Sequence, residues 1–107
     1  MEGNKTIIAV IKPVKEFINS FDIKTATKIA NAIDLLEIFG SKLNMPHSKK
    51  IDSEIYELRI RGKKEIRIFY VFIRGEIFLI HGFTKKSNKL PLKEVKIAKL
   101  RYRELTL

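Results

Sequence analysis

Residues 55–83 read "IYELRIRGKKEIRIFYVFIRGEIFLIHGF", and this run limits the possible folds more than any other part of the chain. Three stretches rich in β-branched and aromatic residues, 55–61, 65–73 and 76–83, are separated only by "GKK" and "RG". Such stretches form strands, and connectors this short join antiparallel neighbours. A three-residue loop at Gly62, Lys63 and Lys64 places Arg59 opposite Arg67 and Glu57 opposite Phe69. A two-residue turn at Arg74 and Gly75 places Arg67 opposite Gly82. Opposed residues share a face, and alternate residues take the other face. One face then carries Tyr56, Leu58, Ile60, Ile66, Ile68, Tyr70, Phe72, Ile77, Leu79, His81 and Phe83, a core face. The other face is split. Glu57, Arg59, Arg61, Arg67 and Gly82 lie at one end, and Phe69, Val71, Ile73, Phe78 and Ile80 lie at the other. A one-residue slip in either turn would exchange the faces.

The flanking sequence supplies the cover. "TIIAVI" is a short β-branched strand, and Pro13 suits the first turn of a helix bearing Val14, Phe17, Ile18 and Phe21. Asp22 or Thr25 caps a second helix with the stripe Ala26, Ile29, Ala30, Ile33 and Leu36, and Gly40 stops it. Residues 41–53 read as a basic loop. Pro91 opens a last helix whose apolar side is Val95, Ala98, Tyr102 and Leu105. That helix, or a partner protein, is needed over the apolar end of the split face. The expected fold is α+β: N-terminal helices on one face of a twisted, mainly antiparallel sheet, plus a C-terminal helix, in one domain spanning 1–107.

Charge narrows the partner. Lys and Arg number 22 against 12 Asp and Glu, a net of +10. That charge fits either a solvated basic surface or, on the sharper reading, a polyanion partner, with nucleic acid ahead of an anionic membrane surface or an acidic protein. The longest apolar runs fall far short of the ~20 residues that cross a bilayer. "MEGNK" lacks the layout of a secretory signal. The absence of cysteine excludes disulfides and thiolate metal sites, and it fits a cytoplasmic location. The two histidines, His47 and His81, have no metal-ligand spacing, and neither a Gly-rich phosphate loop nor an aromatic RNA-recognition signature is present. His81 reads as a half-buried, satisfied residue and His47 as a surface one.

The polar end of the split face is the candidate site. Arg59 directly opposite Arg67 costs ~0.2–1 kcal/mol of repulsion unless an anion lies between them. Glu57 is one such anion. A phosphate gripped bidentately by guanidinium groups is the other. "TKKSNKLP", directly after Gly82 and Phe83, places Lys85 and Lys86 over the space that Gly82 leaves. Cutting RNA through its own 2′-hydroxyl needs a base, cations for the phosphorane and an acid for the leaving oxygen. Glu57 is the candidate base, Arg59 and Arg67 the charge stabilisers, and Lys85 or Lys86 the acid or a phosphate anchor. Arg61, Lys49, Lys50 and Lys89 are expected to extend the RNA contact.

"IYELRI", "EIRIFYVF", "LIHGFTKKSNKLP" and "EVKIA", in that order and preceded by "KLNMPHSKKI", resemble the RelE/HigB toxins, particularly the phage-derived branch of that superfamily. The resemblance implies the toxin half of a type II toxin–antitoxin pair. It implies a metal- and cofactor-independent endoribonuclease that cuts mRNA on the ribosome and is neutralised by a helix-turn-helix antitoxin. Arg67 matches the family's catalytic arginine, Arg59 and Glu57 the strand lining the site, and Lys85 and Lys86 its basic pair. Glu57 stands where several relatives carry lysine, and Tyr102 lies too far along the last helix to match a catalytic tyrosine found in some. On this reading Arg67→Ala abolishes activity with the fold intact. The alternatives are a non-enzymatic RNA- or DNA-binding module, and an inactive prophage remnant that binds an antitoxin through the apolar end of the split face.

Overall fold

The computed structural model describes residues 5–107. Most of the "MEGNK" stretch read for a secretory signal lies outside them. The elements in chain order are β1 (Ile8–Val10), α1 (Lys12–Asn19), α2 (Ile23–Phe39), a 3-10 turn (Gly40–Lys42), β2 (Ser48–Lys50), β3 (Tyr56–Ile60), β4 (Glu65–Ile73), β5 (Glu76–Lys85) and α3 (Leu92–Leu105). The five strands form one sheet in the order β1-β5-β4-β3-β2. All neighbours are antiparallel except β1, which pairs parallel to β5.

Local chemistry accounts for the boundaries. Pro13 sits in the first turn of α1, where its missing N–H costs nothing. Asp22 caps α2 by accepting the Thr25 N–H at 3.1 Å. Gly40 ends α2 at φ 53°, a left-handed backbone that suits glycine. Arg74 and Gly75 both have positive φ, 51° and 80°, as a two-residue hairpin turn matched to strand twist requires. Residues 41–53 are more ordered than a basic loop: Ser48–Lys50 is the edge strand β2, paired to β3.

Two apolar clusters sandwich the sheet. Val14, Ile29 and Leu36 of α1 and α2 pack on Leu58, Ile60, Ile66, Ile68, Tyr70, Ile77 and Leu79. Val95 and Ala98 of α3 pack on Ile55, Phe69, Val71, Ile80 and Phe83. The last helix thus covers the apolar end of the split face, which removes it as the open antitoxin surface of the prophage-remnant alternative. Ala30, assigned to the α2 stripe, is exposed, and Tyr102 packs half-buried at the margin of the second cluster.

The β3–β4 register is as expected, with Arg59 opposite Arg67 and Glu57 opposite Phe69. The β4–β5 register is not. It runs as expected from the turn to Tyr70 opposite Leu79, then shifts, so that Phe69 opposes His81 and Arg67 opposes Phe83. Ile80 is the extra residue of a β-bulge. Every later β5 residue therefore changes face. Gly82 lies opposite Ile68 and faces α1, where an added Cβ would overlap the Phe17 ring. It does not open space for a phosphate. Phe83 joins the α3 cluster rather than the core under α1 and α2.

His81 also faces α3, and there lies the physical reason for the bulge. Without it, the imidazole would enter an apolar core, where an unpaired polar group costs ~1–3 kcal/mol. With it, His81 Nε2 meets Glu94 Oε1 at 2.7 Å and Nδ1 meets an Arg101 guanidinium nitrogen at 3.0 Å. The same guanidinium nitrogen donates to the carbonyl of Ile80 at 2.9 Å, so the bulge carbonyl is satisfied.

Candidate nucleic-acid interface

Strand alternation carries Arg59 up from β3, and Glu65 and Arg67 from β4, on the α3 side of the sheet, with Arg61 just beyond the end of β3. The bulge brings Lys85 onto the same side, directly opposite Glu65. A cleft of about 310 Å³ results, lined by Arg59, Arg61, Glu65, Arg67, Lys85, Lys86, Ser87 and Asn88. Among the described residues, five cations thus face a single carboxylate. The expected register beside Gly82 is wrong for Lys85 and Lys86, yet both lysines reach the arginines because the extra residue advances β5 by one position.

The cations differ in accessibility. Arg67 is 2 % exposed and forms the floor. Its guanidinium donates to Glu65 Oε1 at 3.0 Å and to the Ile66 carbonyl at 3.0 Å. Glu57 lies beneath the cleft, 3 % exposed, with its carboxylate 3.8 Å from Arg59 Nε and 3.7 Å from Arg67 Nε. It neutralises the opposed arginines and does not line the cleft, so it is misplaced for the role of general base. Both separations are too long for hydrogen bonds, and among the described residues neither Nε–H has an acceptor. Arg59 also reaches the Met45 sulfur at 3.2 Å. Arg61 and Lys86 stand at the exposed rim, with Lys85 partly covered.

Glu65 is the cleft-lining residue that sequence reasoning missed. It lies two residues from Arg67 on one strand, and its Oε1 is 3.7 Å from Arg61 Nε. The alternation that selected Arg67 applies equally to Glu65, so the signal was present. The Arg67 hydrogen bond, aided by the charges of Arg67 and Arg61, holds its carboxyl below the ordinary carboxylate range despite some burial. Glu65 is ionised at neutral pH and holds the Arg67 guanidinium by a charge-assisted hydrogen bond.

The remaining expected RNA-binding residues divide. Lys49 pairs with Glu57 across β2–β3 and so shares the cleft's side of the sheet. Lys50 points to the opposite side, 5.7 Å over the Tyr56 ring. Lys89 lines not the cleft but a neighbouring depression with Phe83, Lys85, Lys86 and Glu94, which shares both lysines with the cleft. His47 is exposed. Among the described residues no group of three or more His, Asp or Glu converges as metal ligands would, and no helix is long and apolar enough to cross a membrane.

None of the curated proteins compared with the chain matches it. A family profile does: the one described as "Phage derived protein Gp49-like (DUF891)" matches residues 16–103, from within α1 to the last turns of α3, including the whole of the cleft. The chain belongs to this Gp49-like family of phage-derived proteins.

Proposed function

We propose that the protein is a toxin that cuts mRNA on the ribosome and is held in check by a helix-turn-helix antitoxin. The observation that carries this reading is the cleft itself: guanidinium groups from β3, β4 and the turn between them and ammonium groups from the end of β5 face one space, with a single carboxylate among the described lining residues. Membership in a phage-derived family and the resemblance to RelE/HigB toxins supply the reaction class.

The geometry suggests a role for each group. An incoming phosphate replaces Glu65 on Arg67, an exchange of one anion for another on the same donors. Arg59, Arg61 and Arg67 then stabilise the charge that develops on the phosphorane oxygens. Glu65, displaced but still in the cleft, is the carboxylate placed to take the 2′-hydroxyl proton. The 2′-oxygen attacks phosphorus, the bond to the 5′-oxygen breaks, and Lys85 or Lys86 protonates that oxygen. The products are a 2′,3′-cyclic phosphate and a 5′-hydroxyl. A carboxylate with a depressed pKa is a weak base, so most of the acceleration falls to the cations.

Primer extension on translated mRNA after expression tests this, with growth arrest as the cellular readout. Glu65→Gln is expected to bind RNA at least as well as the parent and to cut it ~10²–10⁴-fold more slowly, the usual worth of a general base. Undiminished cutting by that variant removes Glu65 from the chemistry. Arg67→Ala is a poorer test than the sequence suggested. Its side chain is buried against Glu57, and removing one partner of a buried ion pair destabilises by ~3–5 kcal/mol.

A second reading has its own support. Glu57 is buried and clamped, and Glu65 is the only carboxylate lining the cleft among the described residues. A module that merely binds RNA needs no base. It would show steep salt dependence and no cleavage products.

A further inference from the structure

A larger cavity, about 540 Å³, opens between the start of α2 and the end of the β3–β4 hairpin, on the side of the sheet away from the cleft. The proposed chemistry uses none of it except Arg61, which lines both spaces. Its rim carries Lys24 and Lys28 from α2, Lys63 and Lys64 from the hairpin loop, and one carboxylate, Asp22. Its floor is apolar, made by Phe21, Ile60 and Ile66.

The rim is crowded with like charge brought together from two elements. Lys28 reaches so close to the hairpin that a Cβ added at Gly62 would lie 2.9 Å from its Nζ. Lys64 Nζ sits 5.5 Å from the centroid of the Phe21 ring. Asp22, which caps α2 through Thr25 and keeps its negative charge, offsets one of these cations and leaves the rim in net positive excess. A cationic rim over an apolar, aromatic-edged floor matches the chemistry of a nucleotide, whose phosphates seek the ammonium groups and whose base seeks the floor. Arg61, with its side chain 61 % exposed, continues the positive charge around the hairpin end into the cleft.

We infer that this cavity is a second RNA subsite, holding a nucleotide of the same strand that occupies the cleft, with its backbone on Lys24, Lys28 and Lys63 and its base on Phe21, Ile60 and Ile66. The inference rests on the RNA-binding part of the proposed function, not on cleavage.

The test is the salt dependence of binding to a single-stranded 2′-O-methyl RNA long enough to span both spaces, which cannot be cut. Removing one lysine–phosphate pair lowers the slope of log K against log salt by about 0.7. Lys24→Gln with Lys28→Gln is expected to lower the slope by about 1.4, and Lys85→Gln with Lys86→Gln by a similar, additive amount. Lys63→Gln with Lys64→Gln is expected to lower it too, without touching α2, which guards against a folding defect in the helix variant. An unchanged slope in both the helix and the loop variants overturns the subsite, as does a parent protein that does not bind the RNA. Cleavage of translated mRNA by the parent is scored separately. A lowered slope without cleavage overturns the enzymatic reading and leaves the subsite. Cleavage with an unchanged slope does the reverse.

Discussion

The two faces of the sheet are made by the same three central strands, and they have opposite characters. Under α1 and α2, Leu58, Ile68, Tyr70 and Leu79 form a continuous apolar layer. Under α3 the apolar layer stops at Phe69 and Phe83, and beyond them the strands carry Arg59, Arg67 and Lys85. The α3 side is short of helix by the length of the cleft. Burying that end would desolvate more cations than Glu57 and Glu65 can neutralise, whereas leaving it open lets water, or a polyanion, reach the exposed ones. Apolar packing dominates one face, and the accessible cations stand on the other, with buried Arg67 belonging to both fold and cleft.

The largest effect that sharpens this contrast is on the closed face. Ile68→Ala deletes a fully buried side chain between Leu58 and Gly82 and is expected to cost ~2–5 kcal/mol in chemical denaturation. A decrease below ~1 kcal/mol would mean that this face is loosely packed.

Next comes Gly82→Ala, which places a methyl group against the Phe17 ring and is expected to cost ~1–3 kcal/mol through overpacking, leaving the cations in place. Had the bulge been absent, the same methyl group would project beside Arg67 and cost binding rather than stability. A variant that keeps its stability but loses RNA affinity would therefore restore the unbulged register.

In stability and RNA affinity, as distinct from cutting, Glu65→Gln gives the smallest change. It frees the outward face of Arg67, and RNA affinity should rise by up to about fivefold, the ~1 kcal/mol ceiling of a partly exposed ion pair. The carboxyl's folded pKa lies below its ordinary value of 4.5, so its stabilisation is complete above that value and is lost as pH falls through the folded pKa. The variant should be slightly less stable at neutral pH and should lose less stability on acidification. An acid denaturation curve matching that of the parent would show that the Arg67–Glu65 ion pair contributes nothing to the fold.

The same contrast shows how far the sequence could be read. Turn lengths fixed the β3–β4 register to the residue, because a three-residue loop leaves one pairing that buries Leu58 and Ile68 together. Caps and stops at Asp22 and Gly40 were equally local. What failed was long in range. Whether Ile80 counts in the ladder depends on Glu94 and Arg101, more than ten residues further on, which give His81 partners on the α3 side. No pattern within β5 signals that. The misreading passed to Gly82, His81 and Phe83 together, since one extra residue inverts everything after it. Glu57 was misassigned for a different reason. Strand parity gives a residue's side of the sheet but not its depth, and the arginines close over it. The edge strand β2 escaped because "SKK" has no β-branched residue, and its pairing comes from β3.

The central claim is that the open end of the α3 face is where RNA is cut. It is tested most directly by primer extension on translating ribosomes with Lys85→Ala and Lys86→Ala combined, both at or near the surface and neither in an ion pair among the described residues. Discrete breaks in translated mRNA are expected with the parent protein. In the double variant cutting is expected to fall by about a hundredfold or more, the scale of losing a general acid, at an unchanged melting temperature. Equal cutting by the folded double variant would contradict the claim.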